Sequence, residues 1–243
     1  MRLKGKVAII TGAAQGMGAS HARLFIEEGA KVVLTDLNVA KGEQLAKNLG
    51  DNALFVKHDV TVSSDWDNVI QQTQQKFGRI DVLVNNAGIV YIKSLFDVTE
   101  DDYKKIFNIN QLSVFLGTQK VGRVMKEQSS GSIINISSIS GLVGGAIGYT
   151  DTKFAVRGLT KAAALELANY GVRVNSVHPG VIDTPMIHQG DSEAQIDAFA
   201  QSIPFKRVAR PDEVSKCVLY LASDDSSYST GAEFIVDGGL SAE

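Results

Sequence analysis

Short apolar, β-branched runs alternate with helix-length stretches along the whole chain. The runs are Val7–Ile10, Lys31–Thr35, Ala53–Lys57, Val82–Val84, Ser132–Ile136, Arg173–Val177 and Glu233–Val236. Between them lie Gly16–Gly29, Ala40–Leu49, Ser63–Phe77, Asp101–Glu127, Tyr149–Asn169 and Pro211–Ala222. The runs are apolar throughout rather than alternating, as in strands covered on both faces. Strands separated by helices pair in parallel, because each return connection is a crossover. The pattern predicts an α/β fold: one doubly wound domain over residues 1–243, with a seven-stranded parallel sheet and helices on both faces. The loosest stretch, Pro185 to Pro204, contains Gly190, Asp191 and Ser192 and directly follows a strand. Ligands bind beyond the carboxyl ends of such strands, so residues 185–204 read as a substrate lid. An ordinary surface loop with a short helix is the alternative.

Composition narrows the function classes. The 243 residues are 44% hydrophobic and 21% charged, which is globular. A net charge of −3 and a pI of about 5.8 give no footprint for nucleic acid or an anionic membrane. The basic start, Met1 to Lys6, precedes only Val7–Ile10, too short for a secretory apolar core of roughly 7–15 residues. No run approaches the roughly 18 apolar residues of a membrane span. Lone Cys217 excludes an internal disulfide, and its helical apolar setting reads as a buried thiol. His21, His58, His178 and His188 show no metal-ligand spacing, so no metal is expected. The expectation is a cytoplasmic protein without nucleic-acid or membrane partners.

Candidate chemistry begins after the first strand. Gly12, Gly16 and Gly18 are spaced G-x-x-x-G-x-G, with Ala13, Ala14, Gln15 and Met17 between them. Glycines there permit a tight turn, and the following helix start offers free N–H groups to a diphosphate. Asp36 ends the second strand, about 20 residues on, where a carboxylate can accept from both hydroxyls of an adenosine ribose. It would repel a 2′-phosphate, and neither Leu37 nor Gln15 adds positive charge. The reading is NAD(H) rather than NADP(H); a solvated strand-end carboxylate is the alternative. His58-Asp59-Val60 ends the third strand at the same edge, where Asp59 would meet the adenine.

Tyr149 and Lys153 open a long helix, and an i, i+4 pair projects from one face. A phenol near pKa 10 is a poor base at neutral pH, and a neighbouring ammonium favours its ionised form. A tyrosine so tuned exchanges a proton with an alcohol or carbonyl. Alone, the spacing is also that of a common surface pair.

Together the motifs make the chain resemble the short-chain dehydrogenase/reductase family along nearly its whole length. They are the glycine loop, Asn85-Asn86-Ala87-Gly88, Asn110, Ser137-Ser138, Tyr149-x-x-x-Lys153, Asn175, Pro179-Gly180 and Asp237-Gly238-Gly239. Arg157-Gly-Leu-Thr-Lys161 and Arg173-Val-Asn-Ser-Val-His-Pro-Gly180 are similar to bacterial hydroxysteroid, secondary-alcohol and carbonyl reductase members. The resemblance implies a Rossmann fold and the roles that follow. Tyr149 is the general acid/base. Lys153 lowers its pKa and holds the nicotinamide ribose. Ser138 steadies the substrate oxygen. Asn110 holds a water in a proton relay, or is simply a helix-interior amide. Asn86, Ala87 and Gly88 flank the cofactor, while Pro179, Gly180, Val181, Ile182 and Thr184 orient the nicotinamide. Helices Asp101–Glu127 and Tyr149–Asn169 resemble the pair that builds a homotetramer.

Two departures stand out. The segment from Ser138 to Tyr149 is shorter than in the family pattern, and Asp151 replaces a small residue. Asp151 either faces solvent or perturbs Lys153. The resulting expectation is NAD(H)-dependent interconversion of a secondary alcohol and a ketone. Two alternatives are a non-catalytic NAD(H)-binding regulator and an NADP-dependent 3-ketoacyl reductase. The reductase type usually carries a basic residue where Gln15 stands.

Overall fold

All seven predicted runs are strands: β1 Val7–Thr11, β2 Lys31–Asp36, β3 Ala53–Lys57, β4 Val82–Asn85, β5 Gly131–Ile136, β6 Val172–Pro179 and β7 Glu233–Val236. They form one sheet in the order β3-β2-β1-β4-β5-β6-β7, parallel throughout. The computed structural model describes residues 1–188 and 193–242. Residues 189–192 of the predicted lid, including Gly190, Asp191 and Ser192, therefore lie outside the described residues. Strand order reverses between β1 and β4, and a crevice opens there beyond the strand ends.

Successive side chains of a strand point to opposite faces, which divides the core in two. On one face Ala8, Ile10, Val32, Leu34 and Val84 pack under α1 (Gly16–Glu27) and α8 (Pro211–Ala222), meeting Phe25, Val214 and Val218. His21 of α1 and Ser215 of α8 add a buried hydrogen bond of 2.7 Å. On the other face Ile9, Val33, Leu83, Ile133 and Val174 pack under α3 (Ser63–Phe77), α5 (Ser113–Gln128) and α6 (Tyr149–Leu167). Trp66 fills that side and donates its indole N–H to Val60 O at 2.9 Å, pinning the segment that leaves β3. Two shorter helices are α2 (Val39–Leu49) and α7 (Glu193–Ala200).

The continuous helix expected over Asp101–Glu127 is interrupted. It divides into α4 (Glu100–Phe107) and α5, joined by a π turn over Asn108–Leu112 in which the Ser113 N–H donates to Asn108 O. Asn110 lies in this turn. Its buried amide accepts from the Ile89 N–H at 2.9 Å and donates to Ile89 O at 2.8 Å. The π turn thus coincides with the point where the helix is bonded to the segment after β4, a placement typical of functional sites.

Candidate active site

The crevice is a cleft of about 730 Å³. Its floor is the β1–α1 loop. Gly12 and Gly16 have φ of +63° and +57°, a region open to glycine. Gly18 is fixed by crowding: an added Cβ would lie 2.3 Å from Gly12 O and 2.8 Å from Asn86 Nδ2. The loop is tied to the turn after β4. Asn86 Nδ2 donates to Thr11 O (2.9 Å) and Gly12 O (3.2 Å), and Thr11 Oγ1 accepts from the Asn86 and Ala87 N–H groups. Asn86 Oδ1 is buried without a partner among the described residues. Gln15 precedes α1 in extended conformation, with no side-chain cap and no acidic residue in the first turn. Among the described residues the first N–H groups of α1 therefore have no capping side chain, and the helix end attracts an anion. An orphaned acceptor, a glycine-lined floor and an uncapped helix start fit a dinucleotide.

Asp36 stands at the rim. Its Oδ2 accepts from the Ala14 N–H at 3.0 Å and its Oδ1 from the Asn38 N–H at 2.9 Å. Each oxygen keeps a lone pair for a ribose hydroxyl. Leu37, Asp59, Val60, Met17, Ala87, Gly88 and Thr184 line the same cleft. Gly180, Val181 and Ile182 lie to one side, where a strand-like contact forms. Ala209 N–H donates to Val181 O (3.0 Å) and Ala209 O accepts from the Asp183 N–H (2.8 Å). A Cβ on Gly180 would come within 2.8 Å of Asp237 Cα, so this glycine lets the chain after β6 pass the turn after β7.

Sequence reasoning missed some of the wall. Asp101, Lys104 and Lys105 of α4, with Asn108 at the start of the π turn, face the cleft. Their spacing of three and four is one helical face, a signal visible once α4 is known to border the crevice. Lys41 was also missed. From α2 its Nζ donates to Gln15 Oε1 at 2.9 Å, bringing a positive charge beside the glycine loop.

The second cluster surrounds the start of α6. Ser138 follows β5 in extended conformation, and its hydroxyl stands near enough to the Tyr149 phenol to lower that phenol's pKa. The shortened segment between them therefore still closes. A 3-10 turn over Ile139–Gly141 and a left-handed Gly148 (φ +79°) take up the slack. Asp151 is exposed, in line with the first of the two readings, and it also makes two hydrogen bonds. Its Oδ2 accepts from the Gly148 N–H at 2.7 Å and its Oδ1 from the Tyr103 hydroxyl at 3.3 Å. It caps the helix that carries Tyr149 and ties it to α4.

Lys153 is buried, donates to Ile136 O at 2.9 Å, and its Nζ lies 5.4 Å from the Tyr149 ring centroid. Burial alone lowers its pKa to about 8. The Tyr149 phenol is shifted upward, against the expected lowering. Burial raises it, and the nearby Ser138 hydroxyl only partly offsets this. The two clusters meet at Gly88, where an added Cβ would lie 3.4 Å from Asn110 Oδ1 and 3.7 Å from Lys153 Nζ. Because the Asn110 amide is committed to Ile89, a relay water would need another group of this residue. Outside the site, burial pushes the Cys217 thiol up to about 11, which makes it unreactive at neutral pH.

Known proteins match this arrangement along the chain. Residues 12–241 fit the family model described as enoyl-(acyl carrier protein) reductase. A 3-alpha-(or 20-beta)-hydroxysteroid dehydrogenase of Mycobacterium tuberculosis is 50% identical over 243 residues, covering 99% of this chain and 91% of that protein. An NADP-dependent (R)-specific alcohol dehydrogenase of Lentilactobacillus kefiri is 42% identical, covering 100% and 99%. The crystal structure of a short-chain type dehydrogenase/reductase from Mycobacterium marinum superposes with a TM-score of 0.95 at 36% identity, covering 99% and 97%. With the glycine-floored cleft, Ser138 near Tyr149 and the buried Lys153 beside them, these matches place the chain in the short-chain dehydrogenase/reductase family.

Proposed function

We propose that the protein is an NAD(H)-dependent oxidoreductase that interconverts a secondary alcohol and a ketone, with Tyr149 as general acid/base. The observation that carries this is the placement of the Ser138 hydroxyl by the Tyr149 phenol at the head of α6, with buried Lys153 Nζ 5.4 Å from the phenol ring centroid. The bound nicotinamide would supply or accept the hydride. Gly12, Gly16, Asp36, Val60, Asn86 and Gly88 would hold the nucleotide, and Thr184 would meet its nicotinamide end. Ser138 donates a hydrogen bond to the substrate oxygen and stabilises charge developing there. Tyr149 gives that oxygen its proton in reduction and removes it in oxidation. Lys153 stabilises the phenolate while it carries its own proton.

The rim favours an uncharged, bulky or cyclic substrate. Residues 139–148 contain no charged side chain, and Val143, Ile92, Leu95 and Phe96 are exposed on the loops after β4 and β5. Residues 185–204, with α7, serve as the lid in this reading; Pro185 and Met186 line the cleft. Asp36 favours NAD(H). Lys41 is the observation that favours a phosphorylated cofactor. Following NADH and NADPH consumption in parallel over small, cyclic and steroidal ketones tests the reading. Turnover with NADH supports it. NADPH-only turnover overturns the cofactor assignment. Clear NADH binding without any turnover leaves the regulator.

The proton chemistry predicts opposite pH profiles. Because the phenol is shifted above its ordinary value, Tyr149 is protonated at neutral pH. Ketone reduction, which needs that proton, holds its rate there and falls as pH rises through the phenol's pKa. Alcohol oxidation needs the phenolate and rises about tenfold per pH unit below that pKa. Its slope should flatten above about pH 8, where Lys153 loses its charge. Initial rates in both directions across this range check it.

A homotetramer is also proposed. Phe107, Phe115 and Phe154 are exposed on α4, α5 and α6, and Leu165 of α6 is 81% exposed. Such a face suits a second copy of the chain. Sedimentation velocity should give a tetramer, and Leu165→Glu combined with Phe115→Glu should yield smaller species.

A further inference from the structure

One buried imidazole has no part in the proton transfer described above. His178, on β6, is fully buried. Its Nδ1 lies 3.0 Å from Ser138 O and its Nε2 2.9 Å from Ser176 Oγ. A carbonyl oxygen only accepts, so Nδ1 carries the hydrogen and Nε2 accepts from the Ser176 hydroxyl. Burial keeps the ring below its ordinary pKa; the Ser138 carbonyl and Glu233 oppose this, and Arg157 and Lys153 add to it. The ring is therefore neutral and held in one tautomer.

The location gives this bond its significance. The β5–β6 ladder ends where the Ser137 N–H donates to Val177 O at 2.8 Å. Ser138 is the next residue, the first beyond that ladder. Its carbonyl also accepts from the Gly141 N–H at 2.9 Å, but that bond lies within the 3-10 turn and moves with it. The hydroxyl accepts from the Ser140 N–H at 3.1 Å, again inside the turn. The His178 bond instead ties the Ser138 carbonyl to the sheet. A leucine would fill the same space without placing two polar nitrogens in the core.

We propose that His178 is a positioning residue: from β6 it locks the Ser138 backbone, and so aims the serine hydroxyl at Tyr149 and the substrate oxygen. This rests on the dehydrogenase reading of Ser138 and Tyr149.

Three substitutions separate positioning from packing. His178→Leu removes both hydrogen bonds. His178→Asn keeps a donor at the Nδ1 position, and His178→Gln keeps a polar group only toward Ser176. Expected are a fall in kcat of about 10- to 100-fold for the Leu and Gln variants, with KM and NADH affinity within about threefold of wild type, and recovery to within about threefold for Asn. In a Ser138→Ala background, His178→Leu should cost less than about twofold more, because its effect passes through the serine. A kcat near wild type in the Leu variant overturns the proposal. So does an equal loss in the Asn and Gln variants, or a full additional loss in the Ser138→Ala background, since either is the mark of a merely structural role. If the Leu variant does not fold, the Asn–Gln contrast decides, both alone and in the Ser138→Ala background.

Wild-type turnover is measured first. If it is absent on every ketone, the dehydrogenase reading fails separately. His178 is then tested by the pKa of the Tyr149 phenol, read from ¹³C-labelled tyrosine and assigned with Tyr149→Phe. Displacing the Ser138 hydroxyl should raise it in the Leu and Gln variants and leave it unchanged in Asn. An unchanged phenol in all three overturns the proposal.

Discussion

Replacing Tyr149 with phenylalanine should lower turnover at least about a thousandfold while leaving NADH affinity within about twofold. The substitution removes one oxygen and keeps the ring, so α6 still begins at the same place. Lys153 keeps its bond to Ile136 O, and Asp151 still caps the helix through the Gly148 N–H. What disappears is the group that exchanges a proton with the substrate, together with the polar neighbour of the Ser138 hydroxyl. Nothing on the glycine floor changes. NADH binding followed by fluorescence and ketone reduction followed by absorbance make the comparison on the same preparation. Turnover near wild type in the variant would remove Tyr149 as the acid/base.

The second large effect concerns the cofactor. Asp36→Ala with Leu37→Arg should reverse the preference between NADH and NADPH, shifting the ratio of their kcat/KM values by about 10²- to 10⁴-fold. That corresponds to about 3–6 kcal/mol at 1.4 kcal/mol per factor of ten. Two contributions act in the same direction. The carboxylate that repels a 2′-phosphate is gone, and a guanidinium suited to bind it is present. Lys41, already bonded to Gln15, lies beside that loop and adds to the gain. Lys41→Ala in the same background should give back part of it. An unchanged NADH preference would mean that the ribose is read elsewhere in the cleft.

The sheet was legible because both of its faces are covered. Ile9, Val33, Leu83 and Ile133 face one layer of helices while Ala8, Ile10, Val32 and Leu34 face the other, so the strands read as unbroken apolar runs. The glycine loop, Asp36 and the Tyr149–Lys153 pair could be read because each depends on local spacing. The π turn at Asn110 could not. One extra residue hardly disturbs a helical polar pattern, and the bond made there reaches Ile89 on a different segment. Lys41 was hidden for a similar reason: its reach to Gln15 depends on where α2 lies. Asp151 was open between two readings because capping is decided by the backbone at Gly148. The upward shift of Tyr149 depends on burial, which the i, i+4 spacing does not convey.

The packing of α1 against α8 bears on how the chain is made. The nucleotide-holding segment comes off the ribosome first, yet the helix that covers Phe25 and its neighbours spans residues 211–222. Until those residues emerge, the side of α1 that α8 covers stays exposed, and the buried bond between His21 and Ser215 has no second partner. The early segments therefore cannot complete their core as an independent unit during synthesis. A chain terminated before Pro211 should aggregate rather than bind nucleotide. Supplying residues 211–243 as a separate fragment is the natural route to a split form that assembles only when both pieces meet.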